Sequence, residues 1–247
     1  MNRFEINADL GEHEDGGAVD AELMPWIQRA NIACGGHAVS DTSMRLALTL
    51  AKQHHVLVGA HPSYPDREGF GRTELGLPLN VIIDAVRVQI LRLLQLAAEL
   101  GVRVDHVKPH GALYNRAAKE PPLAEALVAE IQSIDPELAL LGLADSAMAA
   151  AARKANLRFI AEAFIDRAYE PTGLLRPRGL PGAVLNLEQA RAQAESLRQG
   201  EVTCADGSHR VLRAQSFCVH GDGREAAVLL ASLTPSAENI DNPTTGR

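Results

Sequence analysis

Short apolar runs alternate along the chain with longer stretches in which apolar residues return every three or four positions. The first pattern predicts buried strands and the second amphipathic helices. Strands are expected at 4–8, 30–34, 56–60, 104–108, 138–143, 158–164 and 216–220, and helices near 41–54, 79–100, 121–133, 145–155, 187–199 and 223–233. Such alternation implies parallel strands joined by helical crossovers. Seven strands suit an α/β fold in which a seven-stranded parallel (β/α) barrel closes or nearly closes; a doubly wound open sheet is the competing arrangement. No fixed-period repeat or low-complexity linker appears, so 1–247 reads as one barrel domain, with a polar tail from about Pro235 expected to be loose.

One helix departs from the pattern. The stretch "LNVIIDAVRVQILRLLQLAAELG" carries only a narrow polar stripe of Asp84, Arg87, Arg92, Gln95 and Glu99. A helix on the outside of a barrel needs one buried face. The excess apolar surface is met either by a wide core-facing side or by a partner, a second copy of the chain included.

The polar residues gather where strands end. "NIACGGH" stops at His37, "VLVGAHP" offers His61, "VDHVKPHG" offers Lys108 and His110, and "SFCVHGD" offers His220 and Asp222. "FEINADLGE" supplies Asn7, Asp9 and Glu12, and "FIAEAFIDR" supplies Glu162, Asp166 and Arg167. In a parallel barrel every carboxyl end faces the same way, so these residues meet around one mouth, where barrel enzymes place their chemistry. Histidine exchanges protons near neutral pH or binds metal, and aspartate serves as base, ligand or orienter. Adjacent glycines and alanines are expected to let a ligand approach the backbone. His54, His55 and His209 fall in helix or loop contexts and read as surface residues. The long connection "AHPSYPDREGFGRTELG" suits a lid or binding loop, with Arg67 and Arg72 as carboxylate or phosphate clamps. "YEPTGLLRPRG" is a second such loop, with Arg176 and Arg178 as weaker anion contacts.

Composition narrows the function classes. Twenty-four Lys plus Arg against 31 Asp plus Glu give a formal charge of -7, which argues against nucleic acid and anionic membrane as partners. The three cysteines lie far apart and suit a reducing compartment. An acidic start without a signal-peptide pattern, and the lack of any long apolar run, lead to a cytoplasmic expectation without membrane insertion. The sequence contains no GxxxxGK[ST], strand-following GxGxxG, HExxH or GxSxG. Acid–base or metal-assisted chemistry is therefore favoured over a serine nucleophile.

Taken in order, "INADLGE", "ANIACGGHAVSD", "VGAHPSYPDREGFGR", "HVKPHGALYN", "AEAFIDRAY", "LLRPRG" and "CVHGD" resemble the LamB/YcsF family of 5-oxoprolinase A subunits over nearly the whole chain. The chain departs from the family pattern at Ala8, Gly36, Val39, Ser40 and Thr73, and keeps every ionisable residue named above. The resemblance implies a barrel of the glycoside hydrolase/deacetylase type. It also implies ATP-dependent opening of 5-oxo-L-proline to L-glutamate in a complex with subunits B and C. Asp9, His61, Lys108, His110 and His220 are then the catalytic candidates. Asn7, Glu12, His37, Arg72, Glu162, Asp166, Arg167 and Asp222 are the substrate-binding candidates. Related barrels hold a divalent metal through one Asp and two His, here Asp9 with His61 and His110. A metal-dependent carbohydrate or N-acyl deacetylase, and a non-catalytic lactam- or sugar-binding regulator, remain the alternatives.

Overall fold

Seven parallel strands close on themselves in the order β1 (Ile6–Leu10), β2 (Arg29–Ala33), β3 (Leu57–His61), β4 (Val104–Val107), β5 (Ala139–Leu143), β6 (Phe159–Phe164) and β9 (Ser216–Cys218). Closure is made by β9, which pairs with β6 on one side and with β1 on the other through Ile6↔Phe217 and Asn7↔Cys218. The open-sheet alternative is thereby excluded. This computed structural model describes residues 4–13, 15, 17–220 and 224–233. Asp222 and the expected tail from Pro235 lie outside the described residues.

Each expected strand is present, displaced by a residue or two, and the displacement matters at the site. β1 starts at Ile6 and therefore contains Asp9, β3 contains His61, and β9 stops before His220. Two helices go beyond the expected set, α1 (Ala18–Leu23) and α4 (Gly111–Lys119), as does the antiparallel pair β7 (Glu201–Thr203) and β8 (His209–Val211). α4 begins on glycine inside the strand-end motif and is followed almost at once by the next helix at Pro121, so no connecting segment sets it apart in the sequence. The remaining helices are α2 (Asp41–His54), α3 (Leu79–Glu99), α5 (Pro121–Ile134), α6 (Ala147–Lys154), α7 (Leu187–Arg198) and α8 (Arg224–Leu233).

The main apolar core lies between strands and helices. α3 commits Ile82, Val86, Ile90, Leu93 and Leu96 to it, so a wide inward face accounts for much of its apolar character. Val81, Val88 and Leu91 stay exposed on another face of the same helix. His54, His55 and His209 are exposed, as expected.

The inside of the barrel is different. Asn7, Asp9, Asn31, His106, Lys108, Glu162 and Ser216 are all buried. Burying so many polar groups is tolerable only if they satisfy one another. A register step between β3 and β4, from Val58↔Val104 to Gly59↔His106, helps set that interior row.

Candidate active site

Lys108 follows β4, and Pro109 fixes the backbone immediately after it. Its Nζ lies 2.9 Å from Asp9 Oδ1, 3.1 Å from Asn7 Oδ1, 3.2 Å from Cys218 Sγ and 2.8 Å from Glu162 Oε1. Burial works to neutralise the amine, but Asp9, Cys218 and Glu162 outweigh it and hold its pKa well above the usual lysine value. Lys108 is therefore a permanent ammonium and no nucleophile. Burial likewise opposes ionisation of Asp9; His61 in its protonated form and Lys108 overcome it, keeping this carboxyl well below its usual range. The Tyr114 hydroxyl donates to Glu162 Oε2 at 2.7 Å.

On the other side of Asp9 stand two histidines whose tautomers follow from their partners. His61 Nδ1 lies 2.8 Å from the Lys108 carbonyl oxygen, and His110 Nε2 lies 3.0 Å from that of Phe70. A carbonyl only accepts, so both of these nitrogens carry the proton. With both rings neutral, the remaining nitrogens, His61 Nε2 and His110 Nδ1, turn lone pairs toward each other across 2.9 Å. They also face Asp9 Oδ2 at 3.3 Å and Glu12 Oε1 at 3.3 Å, respectively. Burial and the neighbouring His37 and His61 depress the His110 pKa, which keeps the ring neutral. Two lone pairs and two carboxylates pointed at one spot describe a cation site. Ligand atoms of Asp9, Glu12, His61 and His110 all lie within 4.8 Å of one another. This donor set, with each imidazole held by a backbone carbonyl, fits a divalent metal. Glu12 is the ligand the resemblance left out.

His37 sits behind this group. Its ring stacks on His110 at 3.7 Å and its Nε2 donates to Glu12 Oε1 at 2.9 Å. Phe70 packs edge-on against both rings, and Gly71 (φ +65°) lies so close that a Cβ there would come within 2.9 Å of the His110 ring and of His37 Cβ. The long loop after β3 is thus fastened onto the site. Arg67 does not line the cleft and donates to the Val39 carbonyl. Arg72 does line it and lies over the Phe70 ring.

His220 forms a separate pair with Asp166. Its backbone N–H donates to Asp166 Oδ2 at 2.8 Å and its Nδ1 lies 3.0 Å from both carboxylate oxygens. Burial opposes the charge on Asp166, but His220 and Arg167 lower its pKa, so it stays ionised. An ionised acceptor at Nδ1 leaves Nε2 as the free base nitrogen.

These groups share a cleft of about 520 Å³ whose lining includes Asp9, Glu12, His61, Lys108, His110 and His220. The five residues expected to meet at one mouth do meet there. Asn7, Glu162 and His37 are buried behind the wall and do not line the cleft. Asp166 faces an adjoining hollow of about 300 Å³, and Arg167, Arg178 and His220 border both spaces. Arg167 uses Nε and Nη2 on the carbonyls of Ala183 and Arg176. Burial and the nearby Arg178 guanidinium lower its pKa to about 10. Two crowded cations at the cleft edge favour an anionic group between them.

Sequence reasoning does not find Asn31, His106, Tyr114, Cys218 and Gln89. Gln89 sits on the largely apolar helix α3, yet it is buried and binds both the N–H and the carbonyl of Ser63 in the loop after β3. A lone amide at a core position of an apolar helix is the available signal. Gly59 does not admit a ligand, as its neighbours in sequence led one to expect. A Cβ there would lie 2.1 Å from His106 Nε2, so the space belongs to that ring.

Residues 4–242 match the model of the LamB/YcsF family. The fold superposes on the lactam utilization protein of Thermus thermophilus with a TM-score of 0.85 at 37% identity, covering 94% of each chain. A putative cellobiose-phosphate cleavage protein from Enterococcus faecalis V583 shares the fold, with a TM-score of 0.52 at 13% identity over 89% of this chain and 80% of that one. Among the described residues no helix is long and apolar enough to cross a membrane.

Proposed function

The chain belongs to the LamB/YcsF family, and on that premise we propose that it opens a small lactam, 5-oxo-L-proline, by hydrolysis of the ring C–N bond. The observation that carries the reading is the joint presence, in one cleft, of a buried ammonium, a base held by a carboxylate and a two-histidine, two-carboxylate cation site. The related Thermus thermophilus protein named for lactam utilization supports the substrate class.

His220 Nε2 takes a proton from the attacking water while Asp166 stabilises the imidazolium that forms. The same proton passes to the ring nitrogen as the C–N bond breaks, so lactam and water balance to glutamate. Negative charge growing on the carbonyl oxygen meets the field of Lys108. That ammonium directs hydrogen bonds at Asn7, Asp9 and Cys218 and pairs its charge with Glu162, so it also holds Asp9 and Glu162 in place. Asp9, Glu12, His61 and His110 would hold the divalent metal, which supplies Lewis-acid polarisation of the scissile group. Arg178, Arg167 and Arg72 are placed to take the substrate carboxylate.

A five-membered lactam is resonance-stabilised and its hydrolysis is poorly driven. Coupling to ATP through subunits B and C would move the γ-phosphoryl group onto the amide oxygen and release ADP; water then adds to the activated carbon, and the ring C–N bond and, with a second water, the bond to phosphate both break, giving glutamate and inorganic phosphate. The test is glutamate release from 5-oxo-L-proline with ATP, using the chain alone and the chain with subunits B and C. Release only by the combined proteins is expected. The metal donor set favours a second reading, N-acyl deacetylation. Deacetylation that needs metal and proceeds without ATP, with no glutamate from the combined proteins, would replace the first reading with it.

A further inference from the structure

Below the cleft, the barrel interior carries one row of residues across four strands. Asp9 on β1 is in register with Asn31 on β2, Asn31 with Gly59 on β3, and Gly59 with His106 on β4. His106 is fully buried, and its ring passes over the side-chain-less Gly59 to bring Nε2 within 2.8 Å of Asn31 Oδ1. Asn31 Nδ2 then donates to Asp9 Oδ1 at 2.9 Å and to Asn7 Oδ1 at 2.8 Å. Those two oxygens are also the ones that hold Lys108 Nζ.

We infer that His106 is a positioning residue: by donating to Asn31 Oδ1 it fixes which way the Asn31 amide faces, and so directs Asp9. This rests on the cleft chemistry proposed above. An amide offers an oxygen at one end and donors at the other, and nothing in its shape chooses between the two orientations. The Asp9 carboxylate can only accept, so it draws the amide nitrogen, and His106, with its proton on Nε2, meets the oxygen at the other end and holds that orientation. Both amide protons are thereby sent to Asp9 and Asn7. Asp9 Oδ1 is then filled by Asn31 and Lys108, which leaves Oδ2 turned to His61 and the cation site. Reversal of the amide would set its oxygen against Asp9 and Asn7 and lose both bonds. The ring itself is 3.6 Å from Asp105 on one side and does not line the cleft, so it acts only through Asn31.

The experiment is a double-mutant cycle on the full chain combined with subunits B and C. His106→Leu is expected to lower kcat about 10- to 100-fold, the range for lost support of a site ligand, with KM changed less than about twofold. His106→Gln keeps a donor and is expected to recover at least part of kcat. Asn31→Ala with His106→Leu should be no slower than Asn31→Ala alone, because the ring has no other route to the site. The readout that needs no turnover is hydrogen exchange of the Asn31 side-chain amide in the free chain, followed by NMR. It should be slow in the wild type and in His106→Gln, and faster in His106→Leu. An unchanged kcat in folded His106→Leu, additive losses in the double variant, or unaltered amide exchange would overturn the inference. Should His106→Leu not fold, His106→Met against His106→Gln makes the same comparison. Absence of turnover by the wild type would count against the lactam reading alone, since the exchange measurement still decides the role of His106.

Discussion

Lys108 keeps a full charge inside a barrel because Asp9 and Glu162 stand 2.9 and 2.8 Å from its nitrogen. Its removal therefore has two separable effects. Lys108→Met should lower kcat by roughly a hundred- to thousand-fold, as expected for loss of a fixed positive charge facing a developing oxyanion. It should also destabilise the fold by about 3–5 kcal/mol, because two carboxylates are left buried without their cation. Lys108→Arg should restore neither, since a planar fork cannot occupy a point between four acceptors. Steady-state kinetics with parallel urea melts separates the two effects. At His220 the controlling neighbour is Asp166. Asp166→Asn keeps the size but removes the anion that holds the proton on Nδ1. It should reduce kcat by about 100-fold or more with little change in KM, read from a pH–rate profile. The sequence exposed these ionisable residues by clustering them at strand ends. It did not reveal that Glu162 and Asn7 serve Lys108 from behind the wall.

The loop after β3 and the start of α4 illustrate the same division for whole elements. Gly111 has φ +56°, and a Cβ there would lie 2.5 Å from the Gly71 carbonyl oxygen. That oxygen also accepts from Ala112 N–H at 2.9 Å. Gly111→Ala should push the loop off α4 and cost about 1–3 kcal/mol through backbone strain. Since the loop presents the Phe70 carbonyl to His110, catalytic efficiency should fall with the melting temperature, measured on one preparation by kinetics and calorimetry. Glycine in "HVKPHGALYN" is visible as a turn signal in the sequence. Its partner, forty residues earlier on another element, is not, because a turn signal is local and a close approach between backbones is not. The β7–β8 pair escaped for another reason, since three residues per strand are too few for a period to emerge.

At the scale of the molecule, the polar interior makes stability depend on pH. Burial lowers the His106 pKa to about 4, against 6.5 for an unperturbed ring. The folded chain keeps this ring neutral while the unfolded chain protonates it below about pH 6.5. The unfolded state then binds more protons, so stability is full above pH 6.5 and is lost as pH falls toward 4. The loss from this residue should reach about 3 kcal/mol. Urea melts at pH 7, 6 and 5 should show it, and His106→Gln should remove this part of the slope. Whole-chain hydrophobic periodicity was enough to specify seven strands, their helical crossovers and a shared mouth for Asp9, His61, Lys108, His110 and His220. Strand direction and side-chain alternation follow from local chemistry, and a parallel barrel carries strand ends to one place without further instruction. Closure by β9, the opposed lone pairs of His61 and His110, and the row Asp9–Asn31–Gly59–His106 were decided only in three dimensions. Each depends on register between strands distant in sequence, and on which nitrogen or oxygen finds an acceptor once water is gone. A linear pattern holds no record of either.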